Sequence, residues 1–218
     1  MSRSVERLSL EGPAGALEAV LEDPGAGGVS YAVVCHPHPL YGGTMDNKVV
    51  TTVARALQDA GMPTLRFNFR GVGASDGAFD LGSGEMADAE AVASWGAERW
   101  PGRTLVIAGF SFGAYVALRL AQQRLAQQRL PQLGLPRQLI TIAPAIQRQG
   151  GAATAVPHCP WLVVQGDADE VVDPAEVIAW INRLEPKPRL VVLPGAGHFF
   201  HRRLPELRDI VVEEMRNG

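Results

Sequence analysis

The pattern of apolar and polar positions changes after about the first thirty residues. Residues 5–10 and 16–21 alternate between apolar and polar side chains, and the segment between them contains Gly12, Pro13 and Gly15. Alternation with a period of two, interrupted by turn residues, is typical of a β-hairpin. We therefore predict a hairpin at the N-terminus.

From residue 31 onward, short apolar runs alternate with longer amphipathic stretches. The runs cover residues 31–35, 63–68, 103–109, 138–143, 160–165 and 188–193, and the stretches cover 47–60, 83–99, 112–129, 174–184 and 204–216. Consecutive apolar positions indicate strands that are covered on both faces, and the stretches have the length of helices. This order predicts an α/β fold with a mostly parallel central sheet and helices on both faces.

Composition and charge favour one globular domain over residues 1–218. Hydrophobic residues make up 46% of the chain, charged residues 20%, and the formal net charge is -3. No cluster of Lys and Arg predicts a nucleic-acid partner, and no apolar run reaches membrane-spanning length. The N-terminus lacks the pattern of a secretory signal, so we expect a cytoplasmic location and free thiols at Cys35 and Cys159. Composition leaves the oligomeric state open.

The segment Gly109-Phe110-Ser111-Phe112-Gly113 matches the pattern G-x-S-x-G between a predicted strand and a predicted helix. A tight turn in this context projects the serine hydroxyl above the sheet, where it can act as a nucleophile. The backbone N–H of Phe112 would then face an oxyanion formed during acyl transfer. The alternative is a glycine-rich turn with a capping serine.

Three further segments join this motif in making the chain resemble the α/β-hydrolase superfamily. They are HPHPLYGG at residues 36–43, RGVGASDG at residues 70–77 and GAGH at residues 195–198. The chain looks most similar to compact, lidless bacterial hydrolases near the dienelactone hydrolase branch. The resemblance implies a serine hydrolase whose triad runs serine, acid, histidine along the chain, with no cofactor and no metal. It also implies that the turn at 70–77 supports the site without performing chemistry.

Four acidic residues compete for the role of the triad acid. They are Asp167, Asp169, Glu170 and Asp173, which follow the predicted strand at 160–165. The usual spacing of the family places the carboxylate three residues after Gly166, which selects Asp169. Asp167 would then be a turn residue that caps backbone N–H groups.

The triad histidine is predicted from chain order and position. His198 and His201 are the two histidines that follow the acidic loop. His198 lies directly after the last predicted strand, where its imidazole could reach Ser111, whereas His201 lies where the final helix begins. We therefore predict that His198 is the general base and that Asp169 orients it.

A second oxyanion donor is expected from the loop after Cys35. Pro37 and Pro39 have no backbone N–H and are excluded, which leaves His38, Leu40 and Tyr41 open as alternatives. His36 and His38 could also suggest a metal site. No further ligand lies at a recognised spacing, so a role in loop structure is favoured.

Only the 15 residues 145–159 separate the predicted strands on either side of the position where many family members insert a cap. A segment of this length is too short to form a cap domain. We therefore predict an open, shallow site. Its expected lining comprises Leu40, Tyr41, Phe110, Phe112, Phe199 and Phe200.

Such a site suits a carboxylesterase-like hydrolase of short-chain acyl esters or thioesters, with a small-molecule acyl ester as its partner. Two alternatives remain. The same triad could serve an acyltransferase or perhydrolase, or the chain could be a non-catalytic binding module, since fold alone does not fix function.

Overall fold

The apolar runs form one eight-stranded sheet in the computed structural model, which describes residues 4–25, 27–126, 136–145 and 156–217. The strands are β1 (Ser4–Gly12), β2 (Gly15–Asp23), β3 (Ser30–Cys35), β4 (Thr64–Phe67), β5 (Thr104–Phe110), β6 (Pro136–Ile142), β7 (Trp161–Gly166) and β8 (Arg189–Leu193). Each predicted strand is therefore present, with boundaries that differ by a few residues at most.

The sheet has the order β1-β2-β4-β3-β5-β6-β7-β8. Strands β3 to β8 are parallel to their neighbours in this order, whereas β1 and β2 form an antiparallel hairpin that pairs antiparallel with β4. The predicted hairpin is confirmed, and it extends the parallel sheet at one edge.

Five α-helices connect the strands in the described residues. They are α1 (Lys48–Asp59), α2 (Ser83–Arg99), α3 (Phe112–Ala126), α4 (Pro174–Ile181) and α5 (Leu204–Asn217). Helix α4 ends three residues earlier than expected. The end expected for α3 at residue 129 lies outside the described residues.

The two faces of the sheet support separate apolar cores, as the consecutive apolar runs predicted. Along β5, Ile107 belongs to the core that contains residues of α2, α3 and α4, and the next residue, Ala108, belongs to the core that contains residues of α1 and α5. Successive side chains of a strand point to opposite faces, so a strand covered on both faces needs apolar residues at every position. Helices on both faces are therefore confirmed.

The parallel strands place their carboxyl ends at one edge of the sheet. The loops after β3, β5, β7 and β8 leave from this edge and carry Ser111, Asp169, His198 and the candidates for the second oxyanion donor, whereas Phe110 ends β5 and Phe112 begins α3. Ligands of open α/β sheets bind at this edge. Only residues 143–160 lie between β6 and β7, and of these, 146–155 lie outside the described residues.

Candidate active site

Ser111 lies alone between β5 and α3, because β5 ends at Phe110 and α3 begins at Phe112. Its φ is +55°, which is unusual for a residue with a side chain. The backbone N–H of Ser111 donates to the Ile142 carbonyl at 2.9 Å. The chain thus reverses sharply at one residue, which is the geometry of a nucleophile elbow.

The two glycines of the G-x-S-x-G pattern are required by close backbone approaches. A Cβ atom at Gly109 would lie 2.1 Å from the carbonyl oxygen of Gly113, and one at Gly113 would lie 2.3 Å from that of Cys35. Both distances are far below any real contact of a Cβ atom. Glycine at these positions lets the first turn of α3 sit directly over the end of β5 and beside the end of β3.

The side chains of Ser111, His198 and Asp169 form a continuous chain of hydrogen bonds. Ser111 Oγ lies 3.1 Å from His198 Nε2, and His198 Nδ1 lies 2.9 Å from Asp169 Oδ2 and 3.1 Å from Oδ1. A carboxylate only accepts hydrogen bonds, so Nδ1 carries the proton and Nε2 accepts from the serine hydroxyl. All three residues are buried.

The Asp169 carboxylate is held by three further donors. Oδ1 accepts from the backbone N–H groups of Val171 and Val172 at 2.9 and 2.8 Å, and Oδ2 accepts from Gln165 Nε2 at 3.0 Å. Burial acts to raise the pKa of Asp169, but the hydrogen bonds from His198, Val172 and Val171 outweigh it and hold the pKa below its ordinary value. The carboxylate is therefore ionised at neutral pH.

Asp167, which competed with Asp169 in the sequence, contacts backbone rather than the imidazole. Its Oδ1 accepts from the N–H of Gly195 at 2.5 Å. The next residue, Ala168, donates its N–H to the Ala196 carbonyl at 3.1 Å. Asp167 is thus the turn residue that the sequence predicted, and it fastens the acid loop to the loop that carries His198.

Glu170 makes a contact that the sequence did not reveal. Its Oε2 accepts from the backbone N–H of His198 at 3.1 Å, and a Cβ atom at Gly197 would lie 2.7 Å from the same oxygen. The glycine before the histidine therefore leaves room for this carboxylate. Side chains from Asp167, Asp169 and Glu170 all bind the His198 loop, whereas Asp173 caps α4 by accepting from Ala175 N–H at 2.8 Å.

The loop after β3 forms a short 3-10 turn at Pro39–Tyr41. The N–H of Leu40 donates to His38 Nδ1 at 3.2 Å, and the N–H of Tyr41 donates to the His38 carbonyl at 3.1 Å. The His38 ring lies 4.9 Å from the ring of Phe112 between centroids, so the loop passes beside the start of α3. The N–H groups of Leu40 and Tyr41 are thus both engaged with His38 within the turn.

His36 is fully buried and ties two loops together. Its Nδ1 donates to the Pro37 carbonyl at 2.6 Å, and its Nε2 accepts from the N–H of Phe69 in the loop after β4 at 3.0 Å. Burial lowers the pKa of His36 to about 4, so the ring is neutral at physiological pH. Both ring nitrogens are thus used within the fold, as a role in loop structure requires.

The turn at residues 70–77 also connects neighbouring elements. The guanidinium of Arg70 forms an ion pair with Asp88 of α2 at 2.7 Å. The hydroxyl of Ser75 accepts from the N–H of Glu18 at 2.9 Å, and Asp76 accepts from the N–H of Ala16 at 2.7 Å. This turn therefore joins β2, β4 and α2.

The apolar residues expected to line the site divide into two groups. Phe110, Phe112 and Phe200 are at most 1% exposed and belong to the cores, so the prediction that their side chains line an open site is wrong. The ring of Phe110 lies 4.9 Å from that of His198 and supports it from within the protein. Leu40, Tyr41 and Phe199 are 68%, 85% and 39% exposed at the same edge of the sheet as Ser111.

The described ranges contain neither a candidate membrane span nor a candidate metal cluster. No helix within them has the length and apolar character needed to cross a membrane. They also contain no group of three or more histidine, cysteine or acidic side chains that could hold a metal ion.

A family model and two solved structures relate the chain to the α/β-hydrolases. A family model described as an alpha/beta hydrolase domain matches residues 33–209. The chain is 44% identical to an α/β serine hydrolase homologue of Coxiella burnetii, with a TM-score of 0.88 and 96% of each chain covered. It is also 44% identical to a lidless α/β serine hydrolase of Xanthomonas campestris, with a TM-score of 0.87, covering 100% of this chain and 96% of that one.

A third bacterium has a protein that is similar in sequence over most of its length. An uncharacterised protein of Rickettsia prowazekii is 34% identical over 211 residues, which are 94% of this chain and 86% of the relative. The chain belongs to the α/β-hydrolase family, and its fold is the compact, lidless α/β-hydrolase fold that the sequence predicted. Membership of this family indicates hydrolase chemistry on a small-molecule substrate.

Proposed function

We propose that this chain is a carboxylesterase-like serine hydrolase that cleaves small acyl esters or thioesters through an acyl-Ser111 intermediate. The observation that carries the proposal is the hydrogen-bond chain from Ser111 Oγ to His198 Nε2 at 3.1 Å, and from His198 Nδ1 to Asp169 at 2.9 Å. These are the distances and the order that a nucleophile, a general base and an orienting acid require.

In the first half of the proposed reaction, Ser111 Oγ attacks the ester carbonyl carbon while His198 Nε2 takes the hydroxyl proton. The charge that develops on His198 is stabilised by Asp169, which the hydrogen bonds from His198, Val172 and Val171 keep ionised. The bond between the carbonyl carbon and the alcohol oxygen of the tetrahedral intermediate then breaks, and His198 Nε2 donates its proton to that oxygen. The acyl group remains bound to Ser111.

In the second half, water replaces the alcohol. His198 Nε2 takes a proton from the water, whose oxygen attacks the acyl carbon, and Nε2 then returns the proton to Ser111 Oγ as the carboxylic acid leaves. A negative charge forms on the carbonyl oxygen in both halves. The proposed donors to it are the N–H of Phe112, in the first turn of α3 where the helix dipole favours negative charge, and a backbone N–H of the loop after β3, from His38 or Leu40.

The test uses a fluorophosphonate probe, p-nitrophenyl acetate and the corresponding thioester. We expect the wild type to be labelled and to hydrolyse at least one ester, and Ser111→Ala to lose labelling and at least about 10⁴-fold in kcat. Ser9→Ala, at an exposed serine of β1, is the matched control and should behave as the wild type. A wild type that is neither labelled nor active would refute the proposal, and faster acyl transfer to an added alcohol or peroxide than to water would favour the acyltransferase or perhydrolase alternative.

A further inference from the structure

Exposed apolar side chains are concentrated around Ser111. In the part of the chain that the structure describes, seven large apolar side chains are exposed, namely Val5, Val29, Leu40, Tyr41, Leu81, Val171 and Phe199. The last five lie on loops that follow β3, β4, β7 and β8, at the edge of the sheet where Ser111 follows β5. Clustered exposed apolar groups mark binding surfaces.

The first part of this cluster stands beside the start of α3. The ring of Tyr41 lies 4.7 Å from that of His38 between centroids, and the ring of His38 lies 4.9 Å from that of Phe112. Leu40, the neighbour of Tyr41, is in the same 3-10 turn. Tyr41 is therefore close to the proposed oxyanion donors.

Leu81 reaches the same region from the loop after β4. Its neighbour Gly82 packs so closely on Tyr115 of α3 that an added Cβ atom would lie 2.9 Å from the ring. Tyr115 in turn lies 6.1 Å from Phe112 between ring centroids. We call Leu40, Tyr41 and Leu81 the acyl-side lip.

The second part of the cluster stands beside the other two members of the triad. The ring of Phe199 lies 5.2 Å from that of His198, in an edge-on arrangement. Val171, which is 59% exposed, donates its backbone N–H to Asp169 Oδ1 at 2.9 Å. We call Val171 and Phe199 the histidine-side lip.

The proposed chemistry assigns each lip to one part of the substrate. His198 Nε2 must deliver its proton to the leaving alcohol oxygen, so the alcohol group lies on the side of His198. The carbonyl oxygen points to the N–H of Phe112, and the acyl chain leaves the carbonyl carbon away from the alcohol. The alcohol part therefore meets the histidine-side lip, and the acyl part meets the acyl-side lip.

We propose that Phe199 and Val171 bind the alcohol part of the ester, that Leu40, Tyr41 and Leu81 bind its acyl part, and that the substrate is an ester with apolar groups on both sides of the scissile bond. This inference rests on the proposed function. It adds the substrate class and assigns a specificity-determining role to each lip.

Two isomeric esters test the assignment, because they carry the same aromatic ring on opposite sides of the bond. Benzyl acetate places the ring on the alcohol, and methyl phenylacetate places it on the acyl group. The measured quantity is the ratio of kcat/KM for benzyl acetate to that for methyl phenylacetate, obtained by titrating the released acid. Methyl acetate, which has no large group on either side, serves as the reference substrate.

We expect Phe199→Ser to lower this ratio about tenfold and Tyr41→Ser to raise it about tenfold, as loss of one apolar contact to one side of a substrate predicts. Phe199→Leu should restore most of the wild-type ratio. Val29→Ser removes an exposed apolar side chain outside both lips and should leave the ratio unchanged. The wild type should prefer both aromatic esters to methyl acetate.

Several outcomes would overturn the assignment. One is a ratio that Phe199→Ser and Tyr41→Ser shift in the same direction or leave unchanged. Another is a wild type that prefers methyl acetate to both isomers. Loss of self-association in the lip variants with an unchanged ratio would show that the lips contact a second copy of the chain instead. If the wild type is labelled at Ser111 and any of these results is obtained, only the lip assignment fails; absence of labelling refutes the proposed function itself.

Discussion

At the scale of single residues, Asp169 differs from Asp167 in its burial and in the number of hydrogen bonds that its carboxylate accepts. Asp169 is 8% exposed and accepts hydrogen bonds from two backbone N–H groups, one amide side chain and one imidazole. Asp167 is exposed and accepts from the N–H of Gly195. A buried carboxylate with several donors keeps its charge and its position, and these are the two properties that an orienting acid needs.

We therefore predict different effects for Asp169→Asn and Asp167→Asn. The amide at 169 can hold the imidazole in the wrong tautomer and cannot stabilise its charge, so kcat should fall by about 10⁴-fold. The amide at 167 keeps an acceptor oxygen for Gly195, so kcat should stay within about threefold of the wild type. Steady-state kinetics on p-nitrophenyl acetate measures both. A large loss confined to Asp167→Asn would reverse the assignment.

Glu170 is predicted to be a positioning residue for His198. Glu170→Ala removes the acceptor of the His198 N–H, so kcat should fall about tenfold with little change in KM, because the imidazole loses part of its alignment. Glu170→Gln keeps an acceptor oxygen and should restore most of the activity. Asp173→Asn, which changes a nearby acid that caps α4, is the control. Equal losses in the alanine and glutamine variants would contradict a role through this hydrogen bond.

The resemblance to the α/β-hydrolases supplied the order serine, acid, histidine, and the usual spacing of that family selected Asp169. The strand pattern added that Ser111, Asp169 and His198 all follow parallel strands, which end at one edge of the sheet. The contacts of Glu170 could not be predicted. Whether its side chain points to solvent or to the His198 loop depends on the three-dimensional path of both loops, which leaves no periodic signal in the sequence. The same is true of Leu81 and Val171, which are apolar residues in loops.

At the scale of elements, the site depends on how closely β3, β5 and α3 approach one another. Gly113 in the first turn of α3 lies against the carbonyl oxygens of Cys35 and His36 at the end of β3. These are backbone atoms of a buried strand end and its first loop residue, so they cannot move without disturbing the sheet. The elbow and the proposed oxyanion loop are thus built as one unit.

Gly113→Ala is predicted to disrupt this unit. Its Cβ atom would lie 2.3 Å from the Cys35 carbonyl oxygen, so α3 or β3 must shift, and we expect a loss of about 2 kcal/mol in the free energy of unfolding. Urea denaturation measures this loss, and hydrolysis of p-nitrophenyl acetate should fall at the same time. Gly27→Ala is the matched control, since nothing lies within 4 Å of its added Cβ. Wild-type stability in Gly113→Ala would show that the approach is not essential.

The alternation of side chains along β5 explains why Phe110 is buried although it was expected to line the site. Val106, Ala108 and Phe110 share one face of the strand, and all three pack in the core beneath α1 and α5. The sequence predicted that Phe110 would line an open site. Its position in the strand pattern, two residues after Ala108, places its side chain inside the protein.

At the scale of the whole molecule, the site sits on an uncovered edge and is held by contacts between loops. His36 links the loop after β3 to the loop after β4, and the turn at residues 70–77 links β4 to the hairpin. Among the described residues, these contacts between loops hold the loops in position relative to one another. A buried group in such a link affects the stability of the entire fold, because the domain unfolds cooperatively.

His36 makes the stability of the molecule depend on pH. Burial lowers its pKa from 6.5 to about 4 in the folded state, so between these values the unfolded chain binds a proton that the folded chain does not. Stability should therefore be complete above pH 6.5 and fall by up to about 3 kcal/mol as the pH drops to 4. The depressed pKa of Asp169 acts in the same direction but below its ordinary value of 3.8, so it belongs to a separate, more acidic range.

Urea denaturation at several pH values between 4 and 7 measures this dependence. His36→Gln should be less stable than the wild type at pH 7, because its side chain does not reproduce the two ring hydrogen bonds to Pro37 and Phe69. It should also lose most of the change between pH 6.5 and pH 4. His158→Gln, which replaces an exposed histidine, should keep the wild-type dependence. A wild type whose stability is constant over this range would mean that the pKa of His36 is the same in the folded and the unfolded chain, which contradicts the effect of burial on this ring.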